Sequence, residues 1–411
     1  MIFVILILYL GSDKMNLGKL SALSFCLAMS VSVFGGCAAD TESKSYDDYV
    51  VNTVAEINGQ AQTDTASDAG ISKEDINVGV LYISDPAEGS GYSFTHDLGI
   101  QGMQKNLGLS DSQIHRVIVD DADAAATEQA IDTLVGDGCN VIFTTSWGYM
   151  ETTAACAEKY PDVYFSHGTG YLSNGKNFTN YFGRIYQARY LSGIVAGLNT
   201  ESDKIGYVAA MGTGSSEVTG GIDAFALGVY SVNPEAEIYV KVTNSWYDPD
   251  LESQYAFDLL DAGCDVITQH ADTAYPAVNA ESRGAYSIGY NSDMSKEAPD
   301  SVLCSVIWTW SAYYTEAVQS VINGTWNGEN YFGGLAEGLV GITDTSDFCN
   351  PECNEKVAEA TQKMLDGSFN VFDGVIETNT GETVGEEGST LSDAEITGGI
   401  DWYFKTVTVL E

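Results

Sequence analysis

The sequence predicts an α/β protein of two doubly wound lobes, each built on a parallel sheet. Two observations carry this. From residue 77 onward, short apolar β-rich runs such as "INVGVLYI" and "CNVIFTT" alternate with segments of helical spacing such as "TEQAIDTLVGDG". That alternation is the signature of parallel strands joined by crossover helices. The chain then repeats itself. "LVGDGCNVIFTTSW" (134–147) aligns with "LLDAGCDVITQHAD" (259–272), with Cys139 over Cys264 and Val141-Ile142 over Val266-Ile267. "INVGVLYIS" recurs as "DKIGYVAAM", and "PDVYFSHGTGY" as "RGAYSIGYNSD", in the same order. A repeat of this length means two similar lobes rather than a solenoid.

Taken in order, the chain opens with a targeting segment. Lys14 and Lys19 precede the apolar, small-residue stretch "LSALSFCLAMSVSVFGGC", which suits a signal-peptide core over residues 1–36. The start is open between Met1 and Met15. "FGGC" resembles a bacterial lipobox, with Phe34 where Leu is usual. It predicts Cys37 as the acylated first residue of the mature protein; a plain secretory signal is the alternative. Residues 37–76 are polar and acidic, the composition of a flexible tether. Lobe one then spans 77–200, and the helix over 187–199 carries the chain across. Lobe two spans 201–305. Residues 306–411 return toward lobe one and add a C-terminal extension.

Composition narrows the function. Among 411 residues, 58 are acidic and 17 basic, giving a net charge of -41. This excludes a nucleic-acid partner, since phosphate binding needs clustered Lys and Arg. Eight cysteines include the pair of "CNPEC", Cys349 and Cys353, which could form a small-loop disulfide or stay as free thiols. No metal site is expected, because the four histidines are scattered and no second Cys pair stands at ligand spacing. No G-x-S-x-G elbow, P-loop or H-E-x-x-H is present, so no catalytic residue and no cofactor is predicted. "MGTGSSEVTGG" follows a strand but lacks dinucleotide-binding spacing.

Ligands of open parallel sheets bind beyond the carboxyl ends of the strands. In lobe one those ends offer Tyr92, Ser93 and Phe94 after the first strand, then Trp147 with Tyr149 in "TTSWGY". In lobe two they offer Trp246 in "NSWYDP", Asp272 at the repeat position of Trp147, Asn291 and Asp293 in "NSDM", and Trp308 with Trp310 in "WTW". Four of the six tryptophans thus fall at strand ends, where indoles need cover from water. Aromatic faces beside carboxylates suit a flat, hydrogen-bonding ligand held between the lobes.

The runs "NYFGRIYQARYLSGIVAGL", "GGIDAFALGVYSVNPEAEI", "NSWYDP", "GCDVITQHAD", "IGYNSDMS" and "GTWNGENYFGGLAEGLVGI" resemble the basic membrane protein family. These are lipid-anchored substrate-binding proteins of ABC transporters, of the purine-nucleoside receptor type. The resemblance covers about residues 77 to 340. It implies a class I periplasmic-binding-protein fold with two Rossmann-like lobes and a three-segment hinge. It further implies delivery of a purine base or nucleoside to an ABC permease in the membrane, with no cofactor and no contact with the bilayer beyond the lipid anchor. By the same resemblance Phe94 stacks on the base, Trp246 covers its other face, and Asp293 or Asn291 binds ribose hydroxyls. Trp308 stands about where these receptors place a ribose-binding Lys. That departure points toward a bare, adenine-like or hypoxanthine-like base. A ligand-presenting sensor of the same fold and a purine-processing hydrolase are the alternatives.

Overall fold

A computed structural model describes residues 50–51 and 70–411. The expectations for the signal segment 1–36, for Cys37 and for most of the tether 37–76 lie outside the described residues. Among the described residues, no helix is long and apolar enough to cross a membrane.

Besides a short antiparallel ribbon of β1 (Val50–Val51) with β6 (Leu172–Ser173), two mainly parallel sheets organise the chain. The first comprises β2 (Val78–Tyr82), β3 (Ile114–Ile118), β4 (Val141–Thr144), β5 (Tyr164–Gly168), β7 (Phe178–Gly183) and β13 (Tyr331–Gly333), in the order 13-7-5-4-2-3. The second comprises β8 (Lys204–Ala209), β9 (Glu237–Val242), β10 (Val266–His270), β11 (Tyr286–Asn291), β12 (Val302–Trp308), β14 (Val340–Ile342) and β17 (Val407–Val409), in the order 14-12-11-10-8-9-17. The sequence repeat becomes an equivalence of position. β2, β3, β4, β5 and β7 take the same places in their sheet as β8, β9, β10, β11 and β12 in theirs. Cys139 and Cys264, matched in sequence, both sit buried just before the equivalent strands β4 and β10.

The strand sequences follow from this placement. All five residues of β2 are buried, because helices cover both faces of a parallel sheet, and "VGVLY" is accordingly apolar without alternation. Edge strand β3 alternates instead. The crossovers are α1 (Gly91–Leu107), α2 (Ala124–Gly136) and α3 (Met150–Lys159) in lobe one, and α5 (Ser216–Val232), α6 (Pro249–Asp261) and α7 (Tyr275–Ser282) in lobe two. Local capping fixes their starts. Asp248 accepts a hydrogen bond from Leu251 N, and Pro249 occupies the first turn of α6, where a missing N–H costs nothing.

Between the lobes runs α4 (Ile185–Asn199), which packs along α5. The two helices touch backbone to backbone through glycine. A Cβ on Gly193 would lie 2.1 Å from Phe225 O, and one on Gly228 would lie 2.1 Å from Tyr190 O.

The chain beyond 306 is shared between the lobes. Helix α8 (Ser311–Asn323) packs on α1, and β13 joins the first sheet in parallel with β7. β14 then crosses to the second sheet, antiparallel to β12. α9 (Cys353–Leu365) lies against α4, and α10 (Asp393–Gly399) lies against α5. Between them β15 (Ile376–Glu377) and β16 (Thr383–Val384) form a small hairpin, and β17 extends the second sheet beside β9. Cys349 and Cys353 carry free thiols. The Cys353 sulfur accepts from Asn199 Nδ2 at 3.2 Å, and a hydrogen bond from Cys349 is the main cause that lowers its pKa to about 7. At the head of α4, Arg184 makes a two-pronged contact with Asp393, Nη2 to Oδ2 at 2.6 Å and Nε to Oδ1 at 3.0 Å.

Replacing Gly228 by Ala puts a methyl group against the Tyr190 carbonyl. We expect a loss of about 2 kcal/mol in unfolding free energy, read from the urea midpoint, because a packed helix pair can relieve the overlap only by separating.

Candidate functional site

The carboxyl ends of β10, β11 and β12 converge on the first turn of α1, so these strand ends of lobe two face lobe one. Thr95 Oγ1 donates to Asn291 O at 3.1 Å and lies 3.4 Å from Trp308 O. Gly91, with φ +83°, lets the loop pass beside Asp272; a Cβ there would stand 2.8 Å from the Asp272 carbonyl oxygen. These contacts close the two lobes on each other.

Several predicted residues come together here. Asp272 N donates to Trp246 O at 2.8 Å, and Asn291 Nδ2 donates to Asp272 Oδ1 at 2.8 Å. Asn291 sits at the end of β11 with φ +69°, a left-handed conformation that Asn tolerates better than most residues. Its Oδ1 has no hydrogen-bond partner. Trp246 is half-buried, with its ring edge-on to His270 at 5.8 Å. From lobe one, Tyr92 donates its hydroxyl to Thr145 O at 2.6 Å. Phe94, in the same turn of α1, stays partly exposed.

Other predicted residues point elsewhere. Ser93 Oγ is occupied within its own loop, accepting from Ser84 N at 3.2 Å. Trp147 is 57% exposed and leans on Tyr171 with ring centroids 5.7 Å apart. Tyr149 does not face the cleft: it is fully buried in lobe one's core, and its hydroxyl donates to Val119 O at 2.5 Å. Asp293 turns outward and caps its own bend by accepting from Ser295 N at 2.9 Å. The Trp308 ring packs into the lobe junction, stacked on Trp310 at 4.4 Å and 5.0 Å from Phe182. Trp310 in turn stacks on His96 of α1 at 4.4 Å. These indoles are covered by one another, which satisfies their need for cover without a ligand.

The structure also brings in residues that the sequence reading passed over. Glu217, in the first turn of α5 after β8, places Oε1 3.7 Å from His270 Nε2. Its signal is present in "SSEVTGG", a strand end followed by a helix start, where the lack of dinucleotide-binding spacing masks it. Arg189 of α4 is wholly buried; Nη1 donates to Gln269 O at 2.7 Å, and the guanidinium lies 4.1 Å over the Tyr290 ring. Its Nε and Nη2 and the His270 Nε2 have no hydrogen-bond partner.

Burial dominates the electrostatics. It pushes the Asp272 carboxyl up to about 7, against the hydrogen bond from Asn291, with Glu252 and Glu217 adding repulsion. It pushes Glu217 up to about 7 as well, opposed by the Arg189 charge. Although 27% of the Glu217 side chain is accessible, protein encloses it between the lobes. His270 is held well below the usual imidazole range, first by burial and then by Arg189, and is neutral. Two surface depressions lie away from this region, one beside Gln101, Gln104 and Arg116, the other between α4 and α9. Among the described residues no cluster of His, Cys, Asp and Glu could hold a metal ion.

Residues 76–372 match the family model described as ABC transporter substrate-binding protein, PnrA-like. The chain belongs to this family. A purine-binding protein of Brucella abortus is 35% identical to it over 331 residues, 80% of this chain and 92% of the relative. A Haloferax volcanii protein named as an ABC transporter glucose-binding protein is 31% identical over 368 residues, 88% of this chain and 92% of that one. Among solved structures, an ABC transporter solute-binding protein from Conexibacter woesei superposes with TM-score 0.60 at 18% identity, over 72% of this chain and 98% of that one. One from Aeropyrum pernix gives TM-score 0.60 at 20% identity, over 72% and 92%. The fold is therefore that of class I periplasmic binding proteins. As a PnrA-like substrate-binding protein, the chain is a binding protein in family and fold, and its class works on the extracytoplasmic side of the membrane.

The raised carboxyls of this PnrA-like protein set a pH dependence. Between about pH 4 and 7 the native state retains protons on Asp272 and Glu217 that the unfolded chain has already released, so their contribution to stability falls as pH rises through that window. The Asp272→Asn, Glu217→Gln double variant should therefore melt higher than wild type at pH 8, and the difference should vanish near pH 4. Thermal scans by circular dichroism across this range check both the sign and the window.

Proposed function

We propose that this protein is a lipid-anchored receptor that captures a purine base or nucleoside between its lobes and hands it to an ABC permease. The observation that carries the reading is the meeting of Trp246, Asp272 and Asn291 with the first turn of α1, where Tyr92 and Phe94 stand. An indole beside a carboxylate–carboxamide pair suits a flat ring with hydrogen-bonding edges. The purine-binding relative from Brucella agrees with this. Trp246 and Phe94 supply the stacking faces, while Asp272 and Asn291 supply the polar specificity. Closure of the lobes around the ligand creates the form that the permease recognises. Asp293, Trp147 and Trp308 take no part in this site.

Anchoring through Cys37 follows from "FGGC" and places the body at the outer face of the membrane. A sensor role would use the same binding step with a different membrane partner. The Haloferax relative motivates a second ligand class, a sugar.

Isothermal titration with adenine, hypoxanthine, adenosine, guanosine and glucose tests the reading. Binding of a purine with no response to glucose is expected; glucose binding alone would overturn it. Trp246→Ala should weaken purine binding about tenfold or more, the scale of a lost stacking face. Cys37→Ser should move the protein from the membrane fraction to the soluble one, read by fractionation of expressing cells.

A further inference from the structure

Beside the Asp272–Asn291 pair lies a second polar group of atoms. Glu217 Oε1 and His270 Nε2 are 3.7 Å apart, too far for a hydrogen bond between them. The His270 ring is fully buried, with Nδ1 3.3 Å from the Tyr207 hydroxyl and Nε2 unpartnered. Arg189 Nε and Nη2 and Asn291 Oδ1 are buried and unpartnered too. Each such atom costs roughly 1–3 kcal/mol if left unmet, and four at one set of strand ends mark a place built to be completed from outside the fold.

The walls restrict what can complete it. Trp246 stands 5.8 Å and Tyr290 4.6 Å from the His270 ring, each at a steep angle to it. A purine stacked on Trp246 would turn its edge toward Glu217 and His270. A Tyr207 hydroxyl that donates to Nδ1 leaves the proton of neutral His270 on Nε2, the tautomer this reading assigns, and Nε2 then donates. Ionised Glu217 can only accept. The two side chains thus present an acceptor beside a donor, and their complement is an exocyclic amine beside an unprotonated ring nitrogen. A carbonyl in place of the amine would set lone pairs against a carboxylate inside a desolvated cleft.

We propose that Glu217 and His270 read the edge of the bound purine, and that Glu217 makes the site select a 6-aminopurine over its 6-oxo counterpart. This rests on the purine reading above. Titration calorimetry at pH 8 with adenine and hypoxanthine, on wild type, Glu217→Gln and Glu217→Ala, tests it. Wild type should bind adenine at least tenfold tighter than hypoxanthine. Glu217→Gln, whose amide can turn its N–H toward a carbonyl, should shrink that ratio tenfold or more. Glu217→Ala, which leaves no group to misplace, should lose adenine affinity with hypoxanthine little changed. Equal binding of the two bases by wild type, or an unchanged ratio in both variants with their melting temperatures preserved, would overturn the assignment alone. Binding of neither base by wild type would overturn this assignment, and binding of no purine base or nucleoside would remove the purine reading itself.

Discussion

The arrangement at the strand ends of lobe two depends on how closely α4 and α5 approach. Gly193 and Gly228 let each helix lie against the other's backbone, where a single added Cβ would fall 2.1 Å from a carbonyl oxygen. That contact sets where two charges arrive. α4 delivers Arg189 beneath the strand ends, and α5 delivers Glu217 beside His270. A buried guanidinium is costly unless the fold answers it. Here the Gln269 carbonyl takes Nη1, and the Tyr290 face takes the cation at 4.1 Å. Burial and then the same Arg189 charge hold His270 neutral, and that charge partly offsets the burial of Glu217.

A chain with net charge -41 has no shortage of carboxylates on its surface, so acidity alone identifies nothing. What separates Asp272 and Glu217 from the rest is desolvation. Exposed carboxyls such as Glu359 and Glu395 are lowered by a lysine or a capping serine. These two are raised because water is kept away and no cation touches them directly. The protein holds them at a cost in stability.

The architecture was legible because its signals are periodic. Cys139 and Cys264 mark the same turn in both lobes, and the strands that follow occupy equivalent places in the two sheets. The strand-end rule also named Asp272, Asn291 and Trp246, three residues that the structure brings together. It could not say which way each side chain turns. Tyr149 and Trp147 sit two residues apart at the same strand end, yet one is buried in lobe one's core and the other is 57% exposed. Trp308 and Trp310 cover each other, an outcome set by contacts with Phe182 and His96 that come from distant segments. Glu217 and Arg189 were hidden for the same reason. Each lies in an ordinary helical pattern, and only the α4–α5 contact brings them to one place.

The glycine contact also fixes where the molecule can bend. Because α4 is pressed against α5, it moves with lobe two, and Asp393 of α10 strengthens this by gripping Arg184 at the head of α4. The Arg184 and Asp393 side chains are only 15% and 13% exposed, so solvent screens this pair far less than the surface ion pairs. The first crossing between lobes is thereby confined to the joint between Gly183, the last residue of β7, and Arg184. Arg184 N donates to Gly333 O at 2.7 Å and Nη1 to Phe332 O at 2.8 Å, which ties the third crossing to the first. The second crossing, from Trp308 to Ser311, is held to lobe one by the Trp310–His96 stack. Any separation of the lobes would break the Thr95–Asn291 bond between them. Asp393 lies beyond residue 372, where the match to the family model ends.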